Sequence, residues 1–276
     1  MRTPTVLALV SILAAPTLLP AQQPSAAEEL VEHPVEWGGR TRDPYVAPDG
    51  KVWFVGQAGN YVASFDPANQ ALRRYEIEEG TLPHTVIVDA DGIVWYAGNR
   101  NARIGRLNPA TGEIRTYPTG VARDPHTMVF DGRGNIWFTS QNANQIGRLN
   151  MATGEVRLVE AAPEPSNPYG IVLDGNGVPH VALLRTNAIV RVNPETMELT
   201  RFQQGDPAAR SRRLAVTDDG MIWYGDEARG MLGRIDPRTG QTKEWQAPGG
   251  PESRPYAVTR DGQGRIWFSQ AGEDKK

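Results

Sequence analysis

Two histidines occupy the same dipeptide, Pro83-His84 and Pro125-His126, 42 residues apart. Imidazole changes charge nearest neutral pH, so a juxtaposed pair could share proton work, one ring taking a proton while the other orients substrate. Corresponding places further along the chain hold Tyr169 in Asn167-Pro168-Tyr169, Arg212 after Ser211, and Tyr256 in Arg254-Pro255-Tyr256. The first copy is shorter, and its member is taken as Tyr45 from the context Asp43-Pro44-Tyr45 rather than by count. All six carry a polar tip able to hydrogen-bond, where a purely structural position would also accept Ala or Val. A second set of equivalent positions reads Gly56, Gly98, Ser140, Leu183, Asp226 and Gln270. Asp226 is its one carboxylate, and Asp124 lies two residues before His126. The expectation is a concave site with His126 and His84 catalytic and Tyr45, Tyr169, Arg212 and Tyr256 binding substrate. Asp124 and Asp226 are the candidate ligands for a divalent ion such as Mg²⁺, although two carboxylates from different repeats make a thin site. The bland alternative is that these side chains only plug and solvate a channel mouth.

Residues so far apart in the chain meet only if a repeat gathers them. DGKVWF, DGIVWY, DGRGNIWF, DDGMIWY and DGQGRIWF place Trp53, Trp95, Trp137, Trp223 and Trp267, and His180 of GNGVPHV fills the remaining slot. Successive slots are 42 to 44 residues apart, a period that marks a propeller or an array. Each copy reads as four short strands: Val86-Ile87-Val88, Ile93-Val94-Trp95-Tyr96, Ala102 to Leu107, and Glu113 to Tyr117 in the second copy. Asp-Gly and Asn-Pro-x-Thr-Gly turns join them into an antiparallel meander. One such sheet cannot bury both faces, and stacking copies around an axis does so. The fold expected is therefore all-β, a β-propeller of four-stranded antiparallel blades with six repeat units visible. In a propeller the first strand of each blade lines the axis, which is what turns equivalent positions into a ring. The recurrent Trp is expected as a packing residue between blades, and His180 and His33 as structural histidines.

Residues 1–23 read as a separate object, a cleaved secretory signal peptide: Arg2, an apolar stretch from Val6 to Leu19, then Leu19-Pro20-Ala21. Export to the periplasm or medium follows, with no membrane attachment after cleavage; an uncleaved anchor is the alternative. Residues 28–276 read as one propeller domain, with units at about 42–82, 83–124, 125–167, 168–210, 211–254 and 255–276. The segment 29–37 resembles a lone fourth strand and is expected to close the last blade, as propellers remove their edges. The sixth copy stops after two strands, which suggests a shortened form of a longer ring. There is no cysteine in the 276 residues, so the fold must live on its core. A formal net charge of −3 gives no basic footprint for nucleic acid. A monomer acting on a small molecule is expected.

PHTVIVDADGIVWYAGNRNARIGRLNPATGEIRTYP and PHTMVFDGRGNIWFTSQNANQIGRLNMATGEV resemble the virginiamycin B lyase (streptogramin B lyase) family, and the likeness extends over the mature chain. The resemblance implies a seven-bladed propeller, so a ring truncated from seven. It also implies a carbon–oxygen lyase that opens a cyclic depsipeptide at an ester by elimination, with a histidine base and Mg²⁺ held by acidic residues. On the family pattern His84 matches the substrate-side histidine, His126 the base and Asp124 an acid. The glutamate of the family's WFTE phrase has no counterpart, since this chain reads Trp137-Phe138-Thr139-Ser140. The competing expectation is a non-catalytic ligand- or partner-binding propeller in the periplasm. A lactonase would need a Glu/Asn/Asp metal cluster, and none can be assembled.

Overall fold

The computed structural model describes residues 31–272. Short strands separated by tight turns fold into six antiparallel sheets, five with four strands and the last with two, each in simple meander order. They cover residues 41–76, 83–118, 125–160, 168–203, 211–246 and 255–270. The arrangement is a β-propeller. One short 3-10 turn, Pro251–Ser253, precedes the last sheet. Among the described residues no helix is long and apolar enough to cross a membrane. The expected signal segment, 1–23, lies outside the described residues.

The first strands of the sheets, Thr41–Val46, Pro83–Val88, Pro125–Phe130, Pro168–Leu173, Ser211–Val216 and Pro255–Arg260, pack side by side around the centre. Each breaks register with its second strand, for example between Pro83 and Val86 and between Ser211 and Leu214. A bulge at the same point in every first strand lets two successive residues, rather than one, face the axis.

Apolar clusters fill the spaces between neighbouring sheets. One joins Trp137, Ile146, Val181, Leu183 and Val190; another joins Trp53, Val55, Val86, Val94 and Tyr96. The aromatic after each Trp explains the recurring Gly of the third strand. Tyr96 pairs with Gly105 and Phe138 with Gly147, and a Cβ on either glycine would fall about 2 Å from the ring. In three repeats the Trp slot is tied to its own turn, whereas Trp137 Nε1 is sealed without a partner. Trp95 Nε1 donates to Asp89 Oδ2 at 3.0 Å, and Trp267 Nε1 donates to Asp261 Oδ2 at 2.8 Å. His180 reaches the matching Asp174 Oδ2 through Nε2 at 3.2 Å. Histidine is accepted there because it keeps a ring N–H at the same reach. Trp137 is fully buried, whereas Trp267, in the two-stranded sheet, is 56% exposed.

The expected closing strand over 29–37 is not formed among the described residues. Residues 31–37 are irregular, with a turn at Glu36–Trp37, and the last sheet keeps two strands. Gly38 and Gly39, at φ 58° and 88°, bend the chain away from an extended path. Val35 and Trp37 then pack on the first sheet instead: Val35 against Phe54, Tyr61 and Ala63, and Trp37 edge-on to Tyr61 at 5.8 Å.

Candidate active site

The centre of the propeller carries two layers of side chains, one from each bulged position. In the first layer the rings of His84 and His126 lie with centroids 3.5 Å apart, tilted by 36°. Tyr169 follows, 4.5 Å from His126, and meets Tyr256 edge-on with the two hydroxyls 2.8 Å apart. The Arg212 guanidinium lies over both phenols, 4.8 Å from the Tyr169 centroid and 4.2 Å from that of Tyr256, in cation–π range. Glu227 pairs with Arg212, and its other oxygen accepts from Arg254 at 2.6 Å. Two imidazoles, two phenols and a guanidinium thus converge from five sheets.

The second layer, one residue further along each strand, supplies Asp43, Thr85, Thr127 and Arg213. Arg213 Nη2 donates to Asp43 Oδ2 at 2.9 Å, joining positions 170 residues apart. Its Nη1 donates to Thr127 Oγ1 at 2.9 Å. Thr85 Oγ1 donates to Asp43 Oδ2 at 2.9 Å. These residues line one end of a cavity of about 700 Å³ whose walls include Ile87, Met128 and Leu214. The layer holds the imidazoles from below: His84 Nδ1 lies 3.1 Å from Thr85 Oγ1 and 3.3 Å from Asp43 Oδ2, and His126 Nδ1 lies 2.9 Å from Thr127 Oγ1. Among the described residues neither Nε2 is a sealed, unpaired atom, so each keeps an edge open.

Electrostatics follow from this packing. Burial lowers the pKa of His84 from the ordinary histidine value, and the hydrogen bond and charge of Asp43 offset only part of that. Burial drives His126 well below it, helped by His84 and the Arg213 cation. Both rings are neutral near pH 7, the form able to accept a proton. Burial would raise Asp43, but the bond to His84 and the guanidinium of Arg213 hold it well below the usual carboxylate range. Burial also raises Tyr169; for Tyr256 the Tyr169 hydroxyl, Arg213 and Arg212 outweigh burial and make the phenol more acidic than usual.

The structure separates three expected residues from this centre. Tyr45 pairs with Trp53 in the sheet, as Ile87 pairs with Trp95, so it corresponds to Ile87 and not to His84. It packs between sheets, against the clusters containing Trp53 and Ile87, and meets the wall of the cavity of about 700 Å³ rather than the ring of imidazoles and phenols. The position equivalent to His84 is Arg42, whose Nη1 donates to Gln57 Oε1 at 3.0 Å. Asp226 is fully buried and spent on its own loop: Oδ1 accepts from the backbone of Arg210, Ala228 and Arg229, and Oδ2 from Arg229 Nε at 2.6 Å. Asp124 is spent likewise, on Ser140 Oγ at 2.5 Å and on Asn142 at 2.8 Å through both backbone and side-chain nitrogen. Ser140 stands where the family phrase has glutamate, and it donates a hydrogen bond to Asp124 instead of offering a charge. Among the described residues no group of three or more His, Cys, Asp or Glu could hold a metal ion. Asp124 and Asp226 therefore do not assemble the oxygen set a Mg²⁺ site needs. Asp43, Thr85, Thr127 and Arg213 were missing from the expected site, because strand alternation turns the neighbour of a ring position away from the axis and only the bulge brings it back.

The model of the Virginiamycin B lyase family matches residues 32–275. A solved streptogramin B lyase structure is similar at 27% identity and a TM-score of 0.78, over 85% of this chain and 77% of that one. Virginiamycin B lyase from Staphylococcus aureus is similar at 26% identity and a TM-score of 0.78, over 86% and 79%. A catalytically inactive histidine-to-alanine variant of the S. aureus enzyme, solved with quinupristin, gives 26% and 0.79, over 87% and 80%. No curated protein matches the chain.

Proposed function

From a chain that belongs to the Virginiamycin B lyase family, we propose an exported carbon–oxygen lyase that opens a cyclic ester or depsipeptide by elimination. The observation that carries this reading is the imidazole pair, 3.5 Å apart, each Nδ1 anchored and each Nε2 open. An imidazole removes the proton on the carbon next to the one bearing the ester oxygen. The electrons of that C–H bond form the double bond, the C–O bond breaks, and the carboxylate departs. Arg212, over Tyr169 and Tyr256, is placed to meet a carbonyl or the developing carboxylate. Mg²⁺ has no supporting donor set at Asp124 and Asp226, whose oxygens are taken up by their own loops.

One observation favours the alternative of a ligand-binding propeller without catalysis: His84 and His126 are only 4% and 2% exposed, so little ring surface meets a ligand. Incubation of the purified protein with quinupristin, followed by mass spectrometry, separates the outcomes. A ring-opened product of unchanged mass with a new double bond supports elimination. A product that has gained water, or none at all with binding retained, sinks it.

A further inference from the structure

The donors and acceptors around the two histidines are few enough to count, and the count gives the rings opposite tautomers. Asp43 is an ionised carboxylate and can only accept. Thr85 gives its single hydroxyl hydrogen to Asp43 Oδ2. Thr85 Oγ1 can therefore only accept from His84, and both neighbours of His84 Nδ1 want a hydrogen from it. His84 Nδ1 carries the proton, and its Nε2 holds the lone pair. Thr127 is in the reverse position. Its oxygen already accepts from Arg213 Nη1, a group that can only donate. Among the described residues the remaining partner of that hydroxyl is His126 Nδ1 at 2.9 Å. Thr127 Oγ1 has a second lone pair, but if it accepted from His126 as well its own hydrogen would have no acceptor among the described residues; satisfying that hydrogen sends it to His126 Nδ1 and leaves the proton of His126 on Nε2.

We propose that Asp43 and Arg213 are positioning residues that make His84 Nε2 the proton acceptor of the site and His126 Nε2–H its hydrogen-bond donor. This rests on the lyase reading and reverses the roles that the family pattern implies, where His126 is the base. His84 Nε2 takes the carbon-bound proton, the double bond forms as the C–O bond breaks, and His126 Nε2–H hydrogen-bonds to the leaving carboxylate oxygen. The His84 imidazolium then returns its proton to solvent. Arg213 sets both tautomers at once, since it donates to Asp43 and Thr127.

The test is proton–nitrogen correlation spectroscopy near pH 7 on the full chain with isotope-labelled histidine, signals being assigned with His84→Gln and His126→Gln. The expected spectrum shows His84 protonated at Nδ1 and His126 protonated at Nε2. Both rings in one tautomer, or the reverse pattern, overturns the proposal. In Thr127→Val His126 is expected to populate both tautomers while His84 does not change; an unmoved His126 overturns the role of Thr127 and Arg213. In Asp43→Asn the His84 signal should shift toward mixed tautomers, and an unmoved His84 overturns the role of Asp43. No substrate is needed, so this outcome is independent of whether quinupristin is opened. If it is opened, His84→Gln should lose at least tenfold more kcat than His126→Gln, and the opposite order overturns the assignment.

Discussion

Two histidine–aspartate pairs in this molecule look alike and do different work. His180 Nε2 lies 3.2 Å from Asp174, and His84 Nδ1 lies 3.3 Å from Asp43. The first pair spans six residues within one sheet, and Asp174 also accepts the backbone N–H groups of Asn176 and Val178. His180 is fully buried, and its Nδ1 is sealed without a partner. The second pair joins two sheets at the axis, and its outer nitrogen stays open. A histidine beside a carboxylate is thus no signature by itself. What separates the pairs is the range in chain that the carboxylate ties together and whether the far nitrogen reaches an opening.

Local carboxylates should be costly to remove because they hold loops. Asp226→Ala leaves three backbone N–H groups without their acceptor, while Arg229 keeps Asp206 and Glu244, an expected loss of about 2–4 kcal/mol in urea unfolding. A loss below about 1 kcal/mol, comparable to a surface ion pair, would contradict the loop-anchoring role. His180→Ala should cost about 2–4 kcal/mol by opening a cavity in a fully buried slot. His84→Gln should cost under about 1 kcal/mol, since Asp43 keeps Arg213 and Thr85. Equal losses would erase the distinction.

Acid should act on both pairs. His84, His126 and His180 all titrate below the ordinary value of 6.5, burial being the leading cause in each. Below pH 6.5 the unfolded chain therefore binds protons that the folded chain refuses. Stability is full above that pH and falls as pH drops through the window between 6.5 and the lower folded values. The slope is at most about 1.4 kcal/mol per pH unit for each imidazole. His126→Phe should flatten it in urea midpoints measured from pH 7 to pH 5, and an unchanged slope would place the titration elsewhere. The smallest effect is expected from Tyr45→Phe, within about 0.5 kcal/mol and without change in ligand binding by calorimetry. A loss of binding there would return Tyr45 to the site.

Much of this was legible in the residues. The spacing of DGxxW phrases located every sheet, and counting back from Trp95, Trp137, His180, Trp223 and Trp267 reached the five side chains that meet at the centre. The same count from Trp53 lands on Arg42; the Asp-Pro-Tyr context drew the choice to Tyr45, because a local likeness outweighed the register. The second layer was not legible for a different reason. Alternation along a strand sends neighbours to opposite sides, so His84 at the axis argues against Thr85 there. Only the bulge, a backbone irregularity without a composition mark, brings Asp43 and Arg213 inward. The fate of Asp124 and Asp226 was equally hidden, since a loop that consumes a carboxylate through its amides leaves no trace in residue type.

The ion pair between Asp43 and Arg213 also sets a timetable for the nascent chain. The early sheets can assemble on short-range contacts as they leave the ribosome, but the counter-cation of Asp43 is made 170 residues later. Until then that carboxylate has only the neighbouring Arg42 guanidinium, 3.5 Å away, to offset its charge. The complete Asp43–Arg213 pair at the centre can therefore form only after the chain has been made as far as the fifth sheet.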